Sequence, residues 1–157
     1  MKKCNIYKEI DAFFKAQPSP PFLGIDWGSK RIGVAVSDKN LILASPLKTI
    51  NRIEELDLII KERKAGAFII GYPLEMSGNV GESAKKVEAF AENLSKLYPD
   101  FPILLIDERL SSSAAEDALN ESGNYSKKQQ KKKKESLDKT AAAFILQGVL
   151  DSKPFKN

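Results

Sequence analysis

Two short apolar runs separated by a tight turn constrain this chain more than any other feature. FLGID (22–26) ends in an acid, and RIGVAVSD (31–38), beyond the DWGSK turn, reads as its hairpin partner. LILASPL extends that meander by a third strand. From there the pattern alternates. Ile53, Leu56, Ile59 and Ile60 share one helical face, AFIIG is a buried strand closed by a Gly71-Tyr72-Pro73 turn, and Val87, Phe90, Leu94 and Leu97 stripe a long helix. PILLID is the next strand, set off by Pro99 and Pro102 before it and by Glu108 and Arg109 after it. Ser111, Ser112 and Ser113 offer N-caps for a helix containing Ala115, Ala118 and Leu119, which Gly123 ends. A lysine-rich loop then leads into a final helix from about Ser136 to Leu150. A hairpin followed by alternating helices and strands predicts an α/β layered domain around a mixed sheet, three strands antiparallel and two added by crossovers.

The domain is expected to span residues 21–157. Residues 1–20 read as an N-terminal extension: Ile6, Ile10, Phe13 and Phe14 have helical spacing, and Pro18, Pro20 and Pro21 stop the helix. The length of 157 residues is enough to bury one core without staples, and 42% apolar with 29% charged residues fits a globular domain in water. No apolar run approaches the roughly 18 residues of a membrane span. Glu9 and Asp11 interrupt any signal-peptide core, and the single Cys4 fits a reducing compartment. The expectation is a cytoplasmic protein with no membrane partner.

The chain contains no histidine. A Ser-His-Asp or Cys-His nucleophile is therefore impossible, as is a histidine-ligated zinc site. Any hydrolysis must use carboxylates, lysines or carboxylate-held metal, and hard oxygen ligands favour Mg²⁺ or Mn²⁺. The net charge of +4 is unevenly placed. Lys127, Lys128, Lys131, Lys132, Lys133 and Lys134 carry six positive charges within eight residues, which leaves −2 for the remainder. Such a self-repelling block is expected to be a solvated, mobile loop, and commonly contacts nucleic acid.

Four acids stand out by position. Asp26 closes an apolar strand between Gly24 and Gly28, and Asp107 and Glu108 close another. Ligands of open α/β sheets sit at the carboxyl ends of parallel strands. Adjacent strand residues face opposite sides, so one of Asp107 and Glu108 joins Asp26 and the other does not. Asp138 precedes Ala141, Ala142, Ile145 and Val149 at helical spacings, so it falls on the apolar face of its own helix, where an unpaired charge is costly. These acids make a candidate site in which Asp26, Glu108 and Asp138 hold two cations for phosphodiester hydrolysis. Lys30, Arg31, Arg109 and the six lysines are the candidate nucleic-acid contacts. Plainer readings exist for each: a hairpin turn former, a strand-end ion pair, a helix-dipole acid and a solvated loop. Convergence on one sheet edge favours the chemistry.

FLGIDWGSKRIGVAVSD resembles the opening motif of the YqgF family, also called RuvX, and the resemblance continues in order through IIGYPLEMSG, IDERLSS and SLDKTAAAFILQGVL. It spans roughly residues 22–151. The resemblance implies a fold similar to RNase H and RuvC, an RNase H-like five-stranded mixed sheet of order 3-2-1-4-5 with helices on both faces. It also implies divalent-metal trimming of the 5′ end of pre-16S rRNA. The family's acids fall at Asp26, within Asp107-Glu108, and at Asp138. Ser111, Ser112, Glu75 and Ser77 depart from the family's commoner residues and bear only on substrate contacts.

Three other functions compete. A Holliday-junction resolvase acting on DNA would need a homodimer to meet a symmetric junction. A non-catalytic ribosome-assembly RNA-binding factor would not require an inward-facing Asp138. An actin- or hexokinase-type ATPase needs a second domain that this length does not supply.

Overall fold

The computed structural model describes residues 5–73, 81–107 and 127–154, and in the last segment its side chains from residue 139. The elements are β1 (Ile6–Tyr7), α1 (Ile10–Lys15), β2 (Phe22–Trp27), β3 (Ile32–Ser37) and β4 (Ala44–Ile50), then a 3₁₀ turn (Ile53–Glu55) that leads into α2 (Leu56–Arg63). β5 (Ala67–Tyr72), α3 (Glu82–Leu97), β6 (Ile103–Asp107) and α4 (Lys127–Asp151) follow. One sheet runs β1-β6-β5-β2-β3-β4. β2, β3 and β4 form the antiparallel meander, while β5 pairs parallel with β2 and β6 parallel with β5. The five expected strands therefore stand in the expected order. The sheet has six strands, not five, because β1 adds itself parallel to β6.

That sixth strand corrects the reading of Ile6 as helical. The outer edge of β6 offers unpaired backbone groups, and Ile6 and Tyr7 take them up in register with Ile103 and Leu104. The Asn5 side-chain amide ties the entry down by donating to the carbonyls of Tyr98 and Phe101, at 3.2 and 2.8 Å. Phe13 of α1 is fully buried, edge-on to Phe22 with ring centroids 5.4 Å apart. Burying one such ring stabilises by about 1.5–3 kcal/mol, enough to hold a short helix on a sheet. The extension is thus packed into the core of the domain it precedes.

Strand alternation sorts the core into two faces. Leu23, Ile25, Phe68, Ile70, Ile103 and Leu105 pack against Leu56, Ile59, Val87, Phe90 and Leu94 of α2 and α3. Phe22, Ala35, Ala67, Ile69 and Leu104 pack against Phe13 and against Ala142, Ile145, Leu146 and Val149 of α4. β5 is covered on both faces and all six of its residues are buried, which is why it reads as a continuous apolar run. Its burial extends through Gly71 and Tyr72, so these two are strand rather than turn. Leu97 is 55% exposed despite its helical spacing. At the end of α3, Tyr98 and Phe101 fill that place, each with its ring centroid 5.6 Å from Phe68.

The lysine segment is also corrected. Lys127 to Lys134 form the first turns of α4 rather than a loop. Lysine, glutamine and glutamate are strong helix formers, and no glycine or proline intervenes between Gly123 and Gly148. The packed C-terminal half of the helix supplies the nucleus, and extending it by one residue at a time costs little. Gly78-Asn79 and the helix expected after Ser111 lie outside the described residues.

Candidate active site

β2 delivers Asp26 to the carboxyl end of the sheet. The residue is half-buried, and its backbone is in register with Gly33 of β3. Phe22 lies on the α4 face and Leu23 and Ile25 on the other, so alternation puts Asp26 on the α4 face. Asp107 ends β6 at the same edge of the sheet, paired with Tyr72. Its parity is that of Ile103 and Leu105, so the exposed Asp107 belongs to the face covered by α2 and α3. β5 lies between the two strands, which separates their backbones by about 10 Å. Asp26 and Asp107 therefore share an edge but not a face. Glu108 and Arg109 lie outside the described residues.

The course of α4 fixes where position 138 falls. The Gln147 side chain receives the Ala44 amide at 2.8 Å and donates to the Ile42 carbonyl at 2.9 Å. Lys153 Nζ donates to the Leu41 carbonyl at 3.0 Å. The C-terminal end of α4 is thereby pinned over the β3–β4 connection. The pairing of Leu23 with Val36 and of Trp27 with Ile32 places that connection at the start of β2, so α4 runs antiparallel to β2. The two meet at Gly24. A Cβ built there would lie 2.7 Å from the Ala142 carbonyl oxygen and 2.8 Å from the Leu146 Cβ. Asp26 is two residues further along β2, about 6.7 Å. Position 138 is four residues before Ala142, about 6 Å along the helix axis in the same direction. The backbones of positions 26 and 138 are thus brought level at the carboxyl edge. The Asp138 side chain lies outside the described part of α4, and among the described residues no three metal-ligating side chains come together.

Two of the basic candidates, Lys30 and Arg31, adjoin this edge, and Arg109 lies outside the described residues. Lys30 is exposed and Arg31 half-buried in the β2–β3 turn, which is closed tightly enough that a Cβ on Gly28 would lie 2.7 Å from the Arg31 carbonyl. At 100° per residue, positions 127, 128, 131, 132 and 134 fall within a sector of roughly 160°, the same sector that carries 138, 142, 145 and 149 further on. Lys133 falls outside it. The helical sector that faces the sheet in the later turns of α4 thus also carries five of the six lysine positions.

Sequence reasoning missed one feature of this edge. Tyr72 is 6% exposed and donates its hydroxyl to Glu88, and its pKa is pushed up to about 12 by burial and then by that carboxylate. The Lys8 ammonium sits 5.4 Å from its ring centroid. The parity of Phe68, Ile70 and Tyr72 was the available signal for the tyrosine, obscured by reading Gly-Tyr-Pro as a turn. Trp27 packs beside Phe90 at 6.3 Å, consistent with packing alone.

An open mixed sheet with helices on both faces, an acid ending its first hairpin strand and a C-terminal helix crossing that strand make up an RNase H-like fold. Residues 21–152 match the family described as "RuvX: Holliday junction resolvase", and the chain belongs to that family. It is accordingly a nuclease, a hydrolase of phosphodiester bonds. A protein of Pelagibacter ubique named "Putative pre-16S rRNA nuclease" is 44% identical, with 83% of this chain and 87% of that one covered. Its namesake in Rhodospirillum rubrum is 39% identical, with 97% and 94% covered. The fold is shared with a Fowlpox virus resolvase solved with Holliday junction DNA, at a TM-score of 0.51 and 8% identity over 85% of this chain and 98% of that one. Among the described residues no helix is long and apolar enough to cross a membrane.

Proposed function

We propose that this chain is a metal-dependent nuclease that trims the 5′ end of pre-16S rRNA in the cytoplasm, using Mg²⁺ or Mn²⁺ held by Asp26, Glu108 and Asp138. The observation that carries this reading is the antiparallel passage of α4 over Gly24, which levels position 138 with Asp26. With no histidine in the chain, the donors at these positions are carboxylate oxygens, and a half-buried strand-end carboxylate suits a hard cation. Glu108 is chosen over Asp107 because alternation assigns Asp107 to the opposite face. Held by these carboxylates, two such cations would supply an activated water and charge stabilisation for the leaving oxygen. The protein's own part is positional. The Gly24 contact and the Gln147 clamp fix α4 on the sheet, so its acid is held before substrate arrives. Lys30, Arg31 and the lysine-rich face of α4 attract and orient the phosphate backbone.

The names of the Pelagibacter and Rhodospirillum relatives support RNA. The family's description supports a second reading, cleavage of a DNA four-way junction by a homodimer. Side-by-side assays with 5′-extended 16S precursor and a four-way junction, each with Mg²⁺ or Mn²⁺, decide between them. The primary reading expects cleavage of the RNA at its 5′ extension and an intact junction. Symmetric nicking of the junction alone establishes the second.

A further inference from the structure

The N-terminal extension carries one charged group into the active-site edge. Parallel pairing of Ile6 with Ile103 and Tyr7 with Leu104 sends the chain after β1 toward the carboxyl ends of the strands, the end that holds Asp26 and Asp107. Lys8 is the next residue. It is exposed, and its ammonium does not stay beside β1. It reaches across β6 to stand over the Tyr72 ring on β5, the strand that adjoins β2. Its ammonium faces this ring.

An ammonium over an aromatic face keeps its full charge, and its N–H groups on the open side remain available for an anion. The platform is fixed, because Tyr72 is buried to the ring and its hydroxyl donates to Glu88 on α3. A cation held this way at the rim of a phosphodiester-cleaving edge is placed to receive a phosphate.

We propose that Lys8, standing on Tyr72, is a phosphate contact for the substrate strand on the α3 side of the edge, opposite the lysine-rich face of α4. The extension thereby takes part in binding, although it precedes the family match that begins at residue 21. This inference rests on the nuclease reading. With the ammonium over β5, which adjoins β2, the contact lies on the order of 5–10 Å from Asp26's strand, roughly one to three nucleotides from the scissile bond.

The test is RNA binding by fluorescence anisotropy without divalent metal, as a function of salt, for the full-length wild type, Lys8→Gln and Lys8→Arg. Removing one cation from a single strand's phosphates lowers the slope of log affinity against log salt by about 0.7, or roughly five-fold weaker binding at 0.1 M relative to 1 M salt. Lys8→Gln is expected to show that change with a melting temperature close to wild type, and Lys8→Arg to restore the slope. An unchanged slope in Lys8→Gln overturns the proposal, and an accompanying drop in melting temperature would mark Lys8 as a tether for β1 instead. If wild type cleaves RNA and only the Lys8 slope fails to move, this proposal falls alone. If wild type neither binds nor cleaves nucleic acid, both readings fall.

Discussion

Gly24→Ala is the smallest change that should displace the site without touching an acid. Its backbone lies outside the left-handed region, so alanine meets no conformational penalty there, and in a strand it would ordinarily gain about 0.5–1 kcal/mol over glycine. The cost comes from α4. The added methyl would lie 2.7 Å from the Ala142 carbonyl oxygen, and ordinary contact begins at 3.4 Å, so helix and strand must part by about 0.7 Å. Neither neighbour is a flexible side-chain tip, since one is backbone and the other a Cβ. Overpacking of this kind costs about 1–3 kcal/mol, and for a domain of this size each kcal/mol lowers the melting temperature by roughly 2–4 °C. The displacement falls between the strand bearing Asp26 and the helix bearing Asp138. A misplacement near 1 Å costs up to about 10²-fold in a positioned reaction, so single-turnover cleavage should slow by about 10- to 100-fold. Thermal melting and single-turnover cleavage of RNA, both in saturating Mg²⁺, measure the two effects. A Gly24→Ala protein that melts and cleaves like wild type would refute the idea that this crossing sets the site.

Gln147→Leu should cost about 1–2 kcal/mol in urea unfolding, because the Ala44 amide and Ile42 carbonyl are left without their partner. An unchanged unfolding midpoint would show that packing alone registers α4. Tyr72 and Tyr98 should form phenolate only near pH values of about 12, held up by burial and then by Glu88 and Asp57 respectively. Because both values lie above the ordinary 10.0, the stability these tyrosines contribute is complete below pH 10 and disappears as pH climbs toward 12. Alkaline absorbance titration checks this, and Glu88→Gln should bring the Tyr72 transition down. Replacing all six lysines from Lys127 to Lys134 by glutamine should weaken RNA binding and flatten its salt dependence, by about 0.7 for each phosphate that a lysine had neutralised. Identical slopes would mean this face never meets the backbone.

How much of this was legible follows from where the information sits. Strand order came through because β2, β3, β5 and β6 are apolar runs whose parity and connections leave few topologies. Asp26 was legible because it breaks such a run. β1 was not, since two residues are too short for a period and its formation depends on an open edge at β6. The lysine segment misled because charge repulsion was weighed against packing, whereas a helix needs only propensity once its packed half exists. Lys8 was invisible for a different reason: its role depends on a ring 64 positions away that was assigned to a turn.

The most direct measurement is manganese binding and single-turnover RNA cleavage by Asp26→Asn beside wild type. The amide keeps the shape of the carboxylate and loses the charge that holds a divalent cation. The account predicts a folded protein with an unchanged or raised melting temperature in the absence of metal, manganese affinity sharply reduced and cleavage abolished. Cleavage at the wild-type rate by Asp26→Asn would contradict it.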